Sequence, residues 1–320
     1  PGFSSDVLSS GDIIALKNDV ALPRNSNNVF FDGRDKLASS KAIAVTRAQW
    51  AIDPGPVLAG AVELFTINDT GTEYIIPVGE NTSSNRMFEH TSVSVMAMLN
   101  GTKVDIDKDG NGSIDVTKSI NQGETLYVSS GILAGARITA TKPVQAHVMT
   151  GNKRSNGGAL EGRWYTMLPR NRWGKDYYCP VGSIASPNQP TQIFIYNPNA
   201  SAITVAWQGK STSGSFSVPA SGTTQFQMPL NSAAHLTSDS DFYSVAAVGA
   251  GPSNGGASAD DNDTWDWGYT PVPTQYLTPQ LVVGWGPGAD DANNNGQPDG
   301  NGSPVYVAST ADTTVYVDYD

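Results

Sequence analysis

The run Asp107-Lys108-Asp109-Gly110-Asn111-Gly112-Ser113-Ile114-Asp115 carries side-chain oxygens at its first, third, fifth and ninth places, with glycine sixth and a backbone carbonyl to offer at the seventh. This is the ligand spacing of a calcium loop. A hard cation takes roughly six to eight oxygens at ~2.3–2.6 Å, and a tight turn with carboxylates on alternate residues aims them at one point. Asp107, Asp109, Asn111, Ser113 and Asp115 are the candidate Ca²⁺ ligands, with Asp105 upstream as an added carboxylate and Ile114 as the apolar anchor. At the twelfth place Lys118 replaces the usual bidentate glutamate, and no helix pattern flanks the run, so it reads as a β-hairpin tip. The bland alternative is a plain acidic turn. A second copy offers Asp291, Asn293, Asn295, Gln297 by its carbonyl, and Asp299, around Gly296. It has fewer formal charges, so weaker calcium binding is expected there. Asp318 and Asp320 align with Asp107 and Asp109 and read as the start of a third loop.

Catalytic constellations are thin. His90, His147 and His235 are the only histidines; no His-Glu-x-x-His pair offers a zinc site, and no Gly-x-Ser-x-Gly elbow presents a nucleophilic serine. Glycoside hydrolysis needs two carboxylates facing each other at about 5–10 Å, which a sequence does not display. Cys179 is the sole cysteine, which excludes an intrachain disulfide and reads as a small buried apolar residue. Trp164, Trp173, Trp265, Trp267 and Trp285 could form a flat platform for sugar rings if exposed. The expectation is that they are core anchors, with Trp265 or Trp285 as the exception.

The elements that position these residues recur at a spacing of about a hundred residues. Tyr74-Ile75-Ile76-Pro77-Val78-Gly79 returns as Tyr177-Tyr178-Cys179-Pro180-Val181-Gly182, and Trp164-Tyr165…Pro169 is echoed by Trp267…Tyr269…Pro273. Val93-x-Val95 matches Ile193-x-Ile195 and Val305-x-Val307. Each is followed after a polar turn by a second alternating pair: Val104-x-Ile106, Ile203-x-Val205, Val315-x-Val317. Period-two alternation of this kind is the mark of half-buried strands joined as hairpins. A closing segment runs Leu37 to Val45, Ile138 to Ala146 and, more loosely, Leu236 to Phe242. These marks predict an all-β tandem array of about three sandwich-like repeats of roughly 100 residues, a usual sandwich size. The outer repeat is split between the termini: a closing half at 1–57, whole repeats at 58–155 and 156–252, and an opening half at 253–320.

Composition agrees. Thirty-three Gly and 20 Pro suit many short strands and tight turns. A formal net charge of −11 with only 19 Lys and Arg argues against a nucleic-acid partner, which needs clustered positive charge. No run approaches the ~20 apolar residues of a membrane-spanning helix, and Pro1-Gly2-Phe3 does not begin like a signal peptide, so the chain reads as cut from something longer.

Several segments carry a family resemblance: Asp266-Trp267-Gly268-Tyr269, Val283-Gly284-Trp285-Gly286-Pro287-Gly288, Ser303-Pro304-Val305-Tyr306-Val307, Val315-Tyr316-Val317-Asp318, Leu168-Pro169…Trp173-Gly174-Lys175-Asp176-Tyr177 and Ala140-Thr141-Lys142-Pro143-Val144. They resemble bacterial cell-surface proteins related to the N-terminal region of IgGFc-binding protein. The resemblance implies an extracellular, multidomain, non-catalytic β-protein, and no binding residues carry over. The expected function is therefore a calcium-stabilised structural or adhesin segment of the cell surface. Its partners are neighbouring repeats or other copies of itself, forming a filament by β-strand complementation, and a surface glycan or protein ligand. The rival reading is a carbohydrate-binding module or glycan-processing enzyme of a secreted protein.

Overall fold

Alternating apolar residues with frequent turn formers give sixteen short to long strands and only single-turn 3-10 helices among the described residues. The protein is all-β. The structure, a computed structural model, describes residues 9, 37–49, 60–82, 86–151, 162–183, 190–248, 268–281 and 305–317. A two-stranded piece, β1 (Thr46–Gln49) with β2 (Gly60–Glu63), precedes two larger units. The first holds β3 (Gly71–Ile75), β4 (His90–Ala97), β5 (Thr102–Asp107), β6 (Val116–Ile120), β7 (Thr125–Val128), β8 (Arg137–Gly151) and β9 (Arg163–Thr166). The second holds β10 (Gly174–Cys179), β11 (Gln192–Asn197), β12 (Ile203–Gln208), β13 (Ser213–Val218), β14 (Gly222–Gln227), β15 (Ala234–Ala247) and β16 (Gly268–Tyr269).

The two units have the same strand order, β6-β5-β8-β4-β7 and β13-β12-β15-β11-β14, with β3 and β9 added to β8, and β10 and β16 to β15. All pairings between these strands are antiparallel, and one isolated bridge, Ser183 with Leu230, is parallel. In each unit one long strand serves both layers. The first half of β8 pairs with β3 and β5, its second half with β4 and β9, and β15 divides in the same way among β10, β12, β11 and β16. The pairing partners change over at Val144 and Phe242. The expected matching of Ile138 to Val144 with Leu236 to Phe242 holds strand for strand: Tyr74 pairs with Ile138 as Tyr177 pairs with Leu236. The expected second hairpin strands slip by two, since Val104 opposite Ala140 corresponds to Val205 opposite Ser238 instead of Ile203.

A tyrosine fixes each change-over. The Tyr74 hydroxyl accepts the Gly71 N–H at 2.9 Å and donates to the Val144 carbonyl at 2.6 Å. Tyr177 does the same between the Gly174 N–H at 3.0 Å and the Phe242 carbonyl at 2.7 Å. Both sit at a register shift in the pairing of the long strand, where ladder bonding is interrupted and the backbone groups need another partner.

One strand pair and the turn after it recur three times. Arg47 opposite Val62, Val148 opposite Tyr165 and Ala246 opposite Tyr269 are equivalent pairs, and each second strand leads into a 3-10 turn, at Ile67–Asp69, Arg170–Arg172 and Thr274–Tyr276. The Arg172 guanidinium joins all three turns: it donates to the Asn68 carbonyl at 2.8 Å, pairs with Asp69 at 3.4 Å and lies over the Tyr276 ring at 5.5 Å. Beneath this row the cores interlock. Phe194, Tyr196, Tyr243, Val245 and Ala247 of the second unit belong to the same buried cluster as Tyr74, Phe88, Val95 and Val148 of the first. Ile193, Ile195 and Ala246 face the opposite way, with Tyr177 and Cys179. Cys179 is buried at the place of Ile76, and burial pushes its thiol up to about 12.

Removing either hydroxyl leaves a buried N–H and a buried carbonyl without partners, so Tyr74→Phe and Tyr177→Phe should each destabilise the fold by about 1–3 kcal/mol. Urea unfolding followed by tryptophan fluorescence measures this. Burial also raises the Tyr74 phenol to about 12 against 10.0 for a free tyrosine. The folded-state value lies above the unfolded one, so that contribution is whole below pH 10 and is lost as pH climbs toward 12. Absorbance at 295 nm should show these tyrosines ionising together with unfolding and not before it.

Candidate metal site

Asp107 ends β5 at 2% exposure, and its carboxylate organises the turn that follows. One oxygen accepts the N–H groups of Gly110 at 2.8 Å and Asn111 at 3.2 Å, and the other accepts that of Gly112 at 2.7 Å. Burial alone would push the Asp107 carboxyl up, but the donors from Gly112 and Gly110 outweigh it and hold the group below the usual carboxylate range. Gly110 and Gly112 take φ of 74° and 94°, backbone that a side chain resists. Asp109 accepts from the Asn111 N–H at 3.1 Å and side-chain amide at 2.8 Å, while Asn111 Oδ1 accepts the Ser113 N–H at 2.7 Å. Asp115 reaches back to accept the Lys108 N–H at 2.7 Å.

One oxygen each of Asp107, Asp109 and Asp115 therefore converges, all within 4.8 Å of one another. Three negative charges that close repel by about 1 kcal/mol per pair even at the dielectric of water. The arrangement can hold a cation chemically. Asp105 stands outside it: its carboxylate takes hydrogen bonds from Lys103 and from Thr117, both at 2.6 Å, which hold the group below its usual range. Thr117 is its direct partner across the β5–β6 pairing, and Lys103, two residues back on the same face of β5, reaches it with a long side chain. Ile114 is 52% exposed and does not anchor the loop in the core. Asp291, Asn293, Asn295, Gln297 and Asp299 lie outside the described residues, as do Asp318, Asp320, Trp265, Trp267 and Trp285. Trp164 and Trp173 are 5% and 4% exposed, so their faces are not open to a sugar.

Residues that the spacing of oxygens did not point to tie this turn to the second unit. The Leu133 N–H donates to the Lys108 carbonyl at 2.8 Å. Gly110 rests on Gly135, where an added Cβ would stand 2.5 Å from the Gly135 carbonyl oxygen. Gly135, at φ 95°, lies beneath the Tyr196 hydroxyl of β11. The acidic turn, the 131–136 segment and the face of the next unit are thus stacked in sequence. The signal that could have found them is the set of glycines at 131 and 135, each at positive φ. Elsewhere, Asp176 Oδ1 accepts from His235 Nε2 at 2.9 Å and from Thr274, with Tyr178 stacked on the imidazole at 4.1 Å; this cluster ties β10 and β15 to the third 3-10 turn.

Two-layer units built on one bent strand, interlocked through a common core and carrying an acidic hairpin loop, define a tandem all-β protein. The chain belongs to the IgGFc binding protein family: the family model matches residues 60–284, from the first residue of β2 through both units. No curated protein and no solved structure matches it.

Asp107→Ala should strip three backbone N–H groups of their acceptor and cost about 1–3 kcal/mol even with a chelator present. Gly110→Ala, which puts a Cβ into Gly135 at positive φ, should cost at least about 1 kcal/mol. Because the Asp107 carboxyl lies below its unfolded value, its contribution is present above pH 3.8 and disappears as pH falls further. Thermal melts from pH 3 to pH 6 should show this acid loss in the native chain and not in Asp107→Ala.

Proposed function

We propose that this chain is a non-catalytic structural or adhesive segment of an extracellular surface protein, in which calcium at the 107–115 loop stiffens the joint between its units. The proposed organisation is two whole units, 58–155 and 156–252, between a closing half at 1–57 and an opening half at 253–320. The observation that carries the reading is the interlocked core. A chain whose units share one buried cluster across a junction that recurs at three turns transmits position along its length, as stacked-repeat proteins do.

Calcium enters through the loop stack. Binding at Asp107, Asp109 and Asp115 relieves their mutual repulsion, fixes Gly110 against Gly135 and so steadies the ledge on which Tyr196 sits. Ser113 and Asn111 supply further oxygens, and the 291–299 run is proposed as a weaker second loop. Ion binding stabilises only the state that holds the site formed.

Membership in a family described as IgGFc binding protein supports a protein ligand as the partner class. Self-association is proposed through strand complementation: Val305, Val307, Val315, Tyr316 and Val317 are 53% to 90% exposed, apolar surface that a closing strand such as 37–49 from another copy would cover.

Sedimentation velocity and electron microscopy of the chain in millimolar calcium and in chelator test this. Calcium should raise the melting temperature by several degrees and give rod-like species that grow with concentration, both effects vanishing when Asp109→Asn and Asp115→Asn are combined. A chain with the same melting temperature and the same monomeric profile in both buffers would overturn the calcium and filament readings together.

A further inference from the structure

The joint between the two units has a face on one side and an end on the other. The face is the outward side of β11 and β15: Phe194 meets Phe88 edge-on at 4.8 Å and shares a cleft with Ala134, Tyr196 lies over Gly135, and Thr223 beside them donates to the Pro77 carbonyl at 2.5 Å. The end is made where the chain leaves β3 and returns before β8. Gly79 presses on the backbone of Leu133 and Ala134, where a Cβ would come within 2.3 Å, and the Glu80 N–H donates to the Ile132 carbonyl at 2.8 Å.

The second unit builds the same end. Gly182 presses on the backbone of Ser232, where a Cβ would come within 2.6 Å, and the Ser183 N–H donates to the Pro229 carbonyl at 3.1 Å. Counting back from the equivalent Ala136 and Ala234, Leu230 stands at the position of Ile132 and Ser232 at that of Ala134, while the hydrogen bond at this end falls one residue earlier, on Pro229, and Leu230 bridges Ser183. Ile132 is 0% exposed, in the cluster common to both units; Leu230 is 59% exposed. A surface made like the covered end of the first unit is thus open on the second. Further along, Val305-Tyr306-Val307 repeats the sequence pattern of Ile193-Phe194-Ile195, an aromatic between two β-branched residues, with Tyr306 half-buried and Val305 and Val307 each 62% exposed.

We propose that the end of the second unit, at Leu230 and Ser232, is a docking surface for a third unit of the same fold led by residues 305–317 of this chain. Tyr306 seats beside Ser232 as Phe194 seats beside Ala134, and Leu230 becomes buried as Ile132 is. The inference rests on the array reading above and adds to it the surface and its occupant. The partner is fixed by continuity with the existing joint: same ledge, same glycine contact, same outward aromatic. Five exposed apolar side chains in 305–317 give that segment a reason to dock.

Cysteine pairing in the full chain tests the register, because buried Cys179 is out of reach of mild oxidants. Ser232→Cys with Tyr306→Cys should form an intrachain disulfide at least tenfold faster than Ser232→Cys with Val305→Cys, whose side chain faces the other way. Equal rates, or none for either pair, overturn the proposal. Since Tyr306→Cys removes the seated ring, hydrogen exchange gives an independent reading: Leu230→Asp should raise exchange across 305–317 while leaving 90–151 unchanged, and no change at 305–317 overturns it. Both readings are made on the monomer in chelator, so loss of calcium-dependent assembly leaves them standing.

Discussion

The structure depends on one long strand per unit that arrives late and pairs with four others. β8 holds β3, β4, β5 and β9; β15 holds β10, β11, β12 and β16. Because the same strand runs through both layers, the angle between the layers is set by where it changes partners, and a tyrosine hydroxyl pins that place in each unit. The pin is inexpensive in sequence terms, one phenol and one glycine three residues before it, yet it satisfies the two backbone groups that the register shift releases. Such long-range pairing also makes the topology slow to assemble, since the early hairpins have no central strand until the end of the unit is made.

The same constraint explains why the units do not behave as beads. Once β15 and β11 form the second layer of their own unit, their other side is still open, and β11 is buried along its whole length because the first unit covers it. Full burial of side chains such as Phe194, Tyr196 and Tyr243 is worth about 1.5–3 kcal/mol each. Three of them at one joint give several kcal/mol, comparable to the whole stability of a small domain. The two units therefore stabilise one another as neighbours in a stack do. The equivalent face of the first unit carries Ser94 and Met96 opposite His147 and Gln145, which is a different chemistry on the same scaffold. The scaffold repeats while the joints are individually matched, which gives the array a direction.

Much of this was legible in the sequence, for reasons that can be named. Val93-x-Val95 and Ile193-x-Ile195 announce strands with one buried face, and Cys179 aligned with Ile76 announces a core position. The closing segment 236–242 was legible despite weak identity because its alternation survives. The second hairpin strand was placed two residues off at Ile203, and the cause is the period itself: a slip of two keeps every inward residue inward, so alternation alone cannot detect it. The joint was not legible. A strand buried on both faces reads as an uninterrupted apolar run, and nothing in Phe194 or Tyr196 says which side belongs to another unit. At the acidic loop Asp107, Asp109 and Asp115 lie together in the fold, whereas Asp105 is held by Lys103 of its own strand and by Thr117, its partner across the β5–β6 pairing.

The acidic loop is a candidate site whose order comes from the chain's own hydrogen bonds. Asp107 is already held by three backbone donors and Asp115 by one, so the turn does not need a cation to exist; what remains unfavourable is the closeness of the carboxylates themselves. A bound cation would act on that residual repulsion, and its effect on the fold would be confined to whatever the loop touches. Here the loop touches Gly135, and Gly135 touches Tyr196. With no side chain between Gly110 and Gly135, the turn and the ledge are in backbone contact. A site at the tip of one hairpin is in this way mechanically adjacent to the joint between two units, although more than eighty residues separate Asp107 from Tyr196 in the chain.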